Sequence, residues 1–421
     1  MLWCCRLSGK SATSLRNLLR PPVGRSIFIS ALGIGQICSW GSLYYAFPLL
    51  AEQIERETAW TRTSLYGAAT VGLVLSALAS FPVGRAIDRG HGRVIMAGGS
   101  FLAGLLCLGW SQVSDLWALY VIVGLLGLLQ AATLYEPAFA VIARRFGAGN
   151  ARSGITTLTL WGGFASTVFI PLIQLMIDAW GWRGALIGLG AVNICICAVA
   201  YWTVIHPEAD EVTATAIIDQ VHPQPTHVRD AMRSPVFWAL ALAFTAHAAA
   251  FTAFTFHLYP LLLERGFDAG AIVAAMALIG PAQVGGRIGI TILARRSSMR
   301  AIGSVVVLGF PLAFAALAFL PPSYPVILLV TVLYGAANGI LTIVRGAAVP
   351  EMLTKESYGA VMGAMNIPAT VTRALAPLAA AAPWSTSQSY DPVILAILAG
   401  SVVLVAGFWL AAAFSRRRIL D

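Results

Sequence analysis

Charge is what this sequence has least of. Only 11% of its 421 residues are Asp, Glu, Lys or Arg, less than half of the roughly 25% that a soluble domain carries. A chain so poor in charge cannot cover itself with water-facing side chains, and 58% of it is hydrophobic, with a mean hydropathy of +0.79. Cysteine is scarce too. Of six, Cys38, Cys107, Cys195 and Cys197 fall inside apolar runs, which argues against a disulfide framework or a metal site and leaves them as packing residues. Cys4 and Cys5 have only their position to suggest acylation. The sequence has no H-E-x-x-H, no G-x-S-x-G and no P-loop lysine motif, and its loops are short. That argues against a membrane enzyme or a nucleotide-driven pump and implies no cofactor.

Long apolar stretches are what the chain does have. A helix crossing a hydrocarbon core of roughly 30 Å needs about 20 mostly apolar residues, and such stretches recur along nearly the whole length. They are apolar on all sides rather than alternating, so the expected fold class is all-α integral membrane, not a β-barrel. The spans read at 26–51, 64–83, 94–113, 117–143, 153–179 and 184–205, then at 236–264, 270–293, 301–320, 325–346, 358–382 and 391–414. Between the two sets lies the longest polar stretch in the body of the chain, from His206 to Ser234. The expected domains are a basic tail (1–25), a six-helix bundle (26–205), a linker (206–234), a second six-helix bundle (235–414) and a short tail (415–421).

The distribution of cations orients this layout. With the N-terminus in the cytoplasm, twenty of the 27 Lys and Arg fall in inward-facing segments, and only Arg56, Arg62, Arg183 and Arg265 fall in outward loops. This positive-inside pattern accounts for the net charge of +9 without a nucleic-acid partner. It predicts a multi-pass protein of the cell (inner) membrane with both termini cytoplasmic. Residues 1–25 are Arg- and Ser-rich with no acid before Glu52; they read as a cytoplasmic tail, with an organellar transit peptide as the alternative. A faint repeat links the halves: Tyr45-Ala46-Phe47-Pro48-Leu49-Leu50 ends the first span and His257-Leu258-Tyr259-Pro260-Leu261-Leu262 the seventh.

Between the second and third spans stands Gly84-Arg85-Ala86-Ile87-Asp88-Arg89-Gly90-His91-Gly92-Arg93. Chemically it is a tight basic turn with an acid placed to meet a helix N-terminus. The string resembles the loop motif of the major facilitator superfamily, G-x-x-x-D-R-x-G-R, in spacing and in place, through Gly84, Asp88, Arg89, Gly92 and Arg93. The resemblance implies two six-helix bundles around a central cavity, twelve transmembrane helices in all, working by alternating access. It also implies that Asp88 latches the first bundle against the eleventh span near Tyr358-Gly359. The matching loop of the second half, Gly289 to Arg300, keeps its bases but has no acid.

Shorter pieces look like the monocarboxylate-transporter branch: Tyr44-Tyr45-Ala46-Phe47-Pro48, Arg287 in span eight and the Tyr135-Glu136-Pro137 break in span four. Two departures stand out. Leu49 occupies the place of a lysine in the animal members, and Gln283 that of an acid one turn before the arginine. Proton coupling through such a pair therefore does not carry over.

Ionisable residues inside spans cost about 3 kcal/mol or more unless they line a cavity or find a partner. They are Glu136, Arg287, Arg345 and Arg373, with His247 and His257. A surplus of arginine in an aqueous cavity favours an anion, and the guanidinium fork suits a carboxylate; the other reading ties each arginine to backbone carbonyls. Glu136 and Arg345, in spans related by the repeat, are expected to form a cytoplasmic gate. The alternative is a glutamate that satisfies Tyr135 or Arg144. His257 reads either as a proton sensor or as a hydrogen-bonded wall residue. Asn338, Gln283, Tyr44, Tyr45 and Trp161 complete the candidates, packing being the default for the aromatics.

The expected function is secondary transport of a small organic anion, a monocarboxylate, coupled or not to protons, by a protein working as a monomer. The alternative is an exporter of a drug-like or toxic compound. The drug-proton antiporters of the superfamily carry an arginine in span four, and span four here has none.

Overall fold

The computed structural model describes residues 24–206, 225–294, 297–353 and 358–420. The basic tail, most of the linker and Lys355 lie outside the described residues. Every regular element among them is helical. In chain order these are α1 (Arg25–Trp40), α2 (Ala46–Glu57), α3 (Arg62–Ala86), α4 (Gly92–Trp110), α5 (Leu116–Thr133), α6 (Tyr135–Gly162), α7 (Ala165–Val192) and α8 (Val199–Val204). After the linker come α9 (Pro225–Arg233), α10 (Pro235–Glu264), α11 (Ala269–Ala277), α12 (Ile279–Leu293), α13 (Met299–Val306), α14 (Gly309–Phe319), α15 (Tyr324–Met352), α16 (Tyr358–Ser387) and α17 (Asp391–Leu420).

Local chemistry sets the boundaries. Thr61 caps α3 by accepting from the Ser64 amide, Ser234 caps α10 ahead of Pro235, and Asp268 Oδ1 accepts from the Ala271 amide at 2.9 Å. The first expected span is longer than drawn. It passes through a π-helical turn at Gly41–Tyr45 and ends only at Glu57. The fourth is interrupted at Leu134, whose extended ψ of −154° lies just before the Tyr135-Glu136-Pro137 sequence.

Ten helical stretches among the described residues are long and apolar enough to cross a membrane. One of them, Gly154–Val204, is 51 residues long, about 77 Å at 1.5 Å per residue and more than twice a bilayer core. It is broken at Gly181, whose φ of 67° suits glycine alone. The 30-residue α16 carries Pro368, Pro377 and Pro383 inside it and is not among the ten.

Two helix contacts repeat in the halves. α3 packs against α5, and α12 against α15. In the first, a Cβ on Gly127 would run into the Gly72 carbonyl; in the second, one on Gly339 would run into the Gln283 carbonyl. Both pairs need backbone-to-backbone approach, as membrane helices that lack a hydrophobic driving force between them often do. The halves meet where α3 packs on α16 and α7 on α11. Large apolar side chains such as Trp117, Leu293 and Phe319 are mostly exposed on the outside, the arrangement a lipid-facing surface requires.

Candidate functional site

A cavity of about 320 Å³ lies between the halves. Its lining on α3 runs from Leu73 to Ser80, the end leading to the Gly84–Arg93 loop; on α15 it includes Asn338, Thr342 and Arg345. The cavity therefore extends from mid-chain depth toward the motif end of the molecule. Of the residues expected from sequence, Tyr44, Tyr45, Glu136, Gln283, Arg287, Asn338, Arg345 and Arg373 all line it.

The three arginines are not equivalent. Arg287 is 6% exposed and donates from Nε to the Gly339 carbonyl at 3.1 Å and from Nη1 to the Thr159 carbonyl at 2.6 Å. It thus ties α12 to α15 and to α6 of the other half. Arg345 donates to the Asn366 side chain and stands 5.8 Å above the Phe244 ring. Among the described residues Arg373 makes no hydrogen bond or ion pair, and its Nε is buried without a partner. Glu136 is exposed to the cavity and makes no ion pair with Arg345 or any other cation among the described residues.

Sequence reasoning names His247 only as an ionisable residue inside a span and does not assign Trp40, Phe139 or Phe251 to the site. His247 lines the cavity, with Nε2 3.1 Å from Asn338 Oδ1. Trp40, Phe139 and Phe251 line it as well. The signal for Trp40 and Phe139 is the spacing Trp40–Tyr44 and Tyr135–Phe139, two i,i+4 aromatic pairs on helix faces. The rings form one connected wall: Trp40 to Tyr135 at 5.0 Å, Tyr135 stacked on Phe139 at 5.2 Å, and Trp40 edge-on to Tyr44 at 5.2 Å. Gly162 leaves room for the Tyr135 phenol, which a Cβ there would strike.

His257 lies elsewhere. It is fully buried at the opposite end, where Nε2 donates to the Pro377 carbonyl at 2.9 Å and Nδ1 accepts from the Tyr390 hydroxyl at 3.0 Å. That end is closed. Arg62 pairs with Glu52 at 3.1 Å and Glu55 at 2.7 Å, donates to the Tyr390 hydroxyl and covers the Trp384 ring at 4.3 Å. Tyr66 donates to the Phe256 carbonyl at 2.7 Å, Thr167 to the Ala277 carbonyl at 2.8 Å and Tyr259 to Gln174 at 3.1 Å. These last three bonds, and that from Arg62 to Tyr390, join one half to the other.

The Gly84–Arg93 loop folds as a π-helical turn in which Gly90 has a φ of 92°, the left-handed conformation that favours glycine. Arg93 covers the Trp202 ring at 4.1 Å. The side chains of Asp88 and of Tyr358 lie outside the described residues, and so does the expected latch between them.

With this geometry in view, residues 32–377 match the family described as Major Facilitator Superfamily. The chain belongs to that superfamily. It is a multi-pass membrane protein, and over part of its length it resembles the monocarboxylate-transporter branch. Monocarboxylate transporter 11 of Homo sapiens is 36% identical over 172 residues, covering 39% of this chain and 34% of the relative. Monocarboxylate transporter 13 of Rattus norvegicus is 31% identical over 176 residues, covering 41% and 39%. The matched stretch thus spans little more than a third of these curated relatives. Among solved structures, a bacterial homologue of the human lysosomal transporter Spinster, inward-facing and unoccupied, aligns with a TM-score of 0.69 at 13% identity, over 94% of this chain and 98% of that one. The nucleoside transporter NupG aligns with a TM-score of 0.69 at 15% identity, over 92% and 99%. At such identities the likeness concerns the fold.

Proposed function

We propose that the protein is a secondary active transporter that carries a small organic anion, a monocarboxylate, through this cavity by alternating access. The observation that carries the reading is Arg373: a guanidinium lining the cavity with no hydrogen bond or ion pair to any described residue. An uncompensated charge at that depth costs several kcal/mol, and a bound carboxylate offsets it with a bidentate, charge-assisted pair. Arg287, held by two backbone carbonyls, is a structural strut that also adds positive potential. Arg345 stands between these roles.

On this reading the chain crosses the membrane twelve times, as two bundles at 26–205 and 235–414 joined by the cytoplasmic linker 206–234. The Gly181 break supplies the extra crossing in Gly154–Val204, and α16 supplies the other. The Gly84–Arg93 loop faces the cytoplasm with both termini, in the cell membrane, and a monomer suffices because the cavity is built by one chain. The closed Arg62 end and the cavity's extension toward the motif correspond to an inward-facing state. Glu136 and Arg345 are apart here; they come together to close the cytoplasmic side in the alternate state, and protonation of Glu136 supplies the coupling that Leu49 and Gln283 cannot.

The test is uptake into proteoliposomes of a panel of small carboxylates and organic cations, with and without an imposed pH gradient. Saturable carboxylate uptake is expected. Transport confined to cations would overturn the reading.

A further inference from the structure

The cavity is two-faced. All three of its arginines, with His247, Asn338 and Gln283, come from the second half of the chain. Its aromatic surface comes chiefly from the first half: Trp40, Tyr44, Tyr45, Tyr135 and Phe139, with only Phe251 from the other side. Those five rings contact one another in a continuous set, with centroid separations of 5.0 to 5.6 Å from Phe139 through Tyr135, Trp40 and Tyr44 to Tyr45. Glu136 is the sole acid among the described residues of the lining.

We infer that the substrate is an aromatic monocarboxylate: a flat ring joined by a short linker to one carboxylate. This rests on the anion reading above and narrows it. The carboxylate meets Arg373 on the second half, and the ring lies against the Trp40–Tyr135–Phe139 wall on the first. Two further observations favour this class over a short aliphatic acid. The cavity, about 320 Å³, lies in the range of roughly 300–1,000 Å³ that accommodates ligands of many heavy atoms, whereas a three-carbon acid would leave the aromatic wall facing water. Also, a wall of π faces contributes attraction beyond area burial only to another ring or a cation, and the arginine surplus disfavours a cation. A ligand that spans both faces further draws the halves together on binding, which occupancy-driven closure requires.

The purified full-length protein is reconstituted in proteoliposomes, and half-saturation is measured by counterflow for phenylacetate, indole-3-acetate, lactate, acetate and phenethylamine. The inference expects aromatic acids to half-saturate at concentrations about tenfold or more below the aliphatic acids, the scale of one aromatic contact. Phe139→Leu should move the aromatic-to-aliphatic ratio toward one, and Phe139→Tyr should restore it. Equal half-saturation for aromatic and aliphatic acids in the wild type overturns the inference while leaving the anion reading intact. Transport of phenethylamine alone overturns both.

Discussion

Arg62 donates from Nη1 to the Tyr390 hydroxyl at 3.2 Å, across 328 residues of sequence. The same hydroxyl donates to His257 Nδ1 at 3.0 Å, and His257 Nε2 donates to the Pro377 carbonyl. All the donors and acceptors run in one direction, from a guanidinium on α3 to a backbone carbonyl on α16. The imidazole must be neutral for the chain to close, since Nδ1 has to accept. Glu264 fixes the far side by accepting from Trp384 Nε1 at 2.7 Å and from the Tyr390 amide at 2.8 Å. The Arg62 end is therefore joined across the halves by a polar relay, and on the alternating-access proposal that relay must break for this end to open.

Removing the relay's central hydroxyl is the mildest way to loosen it. A hydrogen bond to a charged group contributes about 1.5–3 kcal/mol, so Tyr390→Phe should shift the balance about tenfold or more toward the state open at that end. Spin labels at Ser114 and Ser387, both exposed, report this by pulsed EPR as a larger population of long distances. An unchanged distribution would mean that the other cross-half bonds close this end without the Tyr390 hydroxyl.

The Glu136 hypothesis predicts a split between two modes of transport. Glu136 faces the cavity without an ion pair, so a proton there does not have to displace a salt bridge. Glu136→Gln should abolish concentrative uptake driven by a pH gradient and leave substrate exchange measurable. Undiminished concentrative uptake in that variant would remove Glu136 from the coupling.

Packing makes a stability prediction. Gly127 lies against the Gly72 backbone with no space for a Cβ, and overpacking of this kind typically costs 1–3 kcal/mol. Gly127→Ala should lower the melting temperature of the detergent-solubilised protein by several degrees. Gly98→Ala, in a helix with nothing within 4 Å of the added carbon, should leave it unchanged.

Much of this was legible in the sequence because it depends on local pattern. The apolar runs mark the helices, and the charge cost of burying Arg287, Arg345, Arg373 and Glu136 marks the cavity. What was not legible depends on contacts between distant segments. Arg62 read as an outward-loop cation because its partner Tyr390 lies in the other half. His257 read as a candidate for the substrate site because nothing near it in sequence reveals Pro377 or Tyr390. Tyr44 and Tyr45 read as packing by default, and Trp40 and Phe139 went unread, since Trp40 and Tyr135 meet only once α1 lies on α6. The ranking of the arginines also needed coordinates: Gly339 and Thr159 hold Arg287 through backbone carbonyls that accept from it, and no side-chain pattern announces them.

The measurement that bears most directly on the account is uptake of a radiolabelled monocarboxylate into proteoliposomes, compared between wild type and Arg373→Gln. A charge-assisted hydrogen bond of about 2 kcal/mol corresponds to about a 30-fold change. The account predicts saturable uptake by the wild type and a rise of at least that size in half-saturation for the variant, with the variant still folded by size-exclusion profile. Equal carboxylate affinity in the two proteins would contradict it.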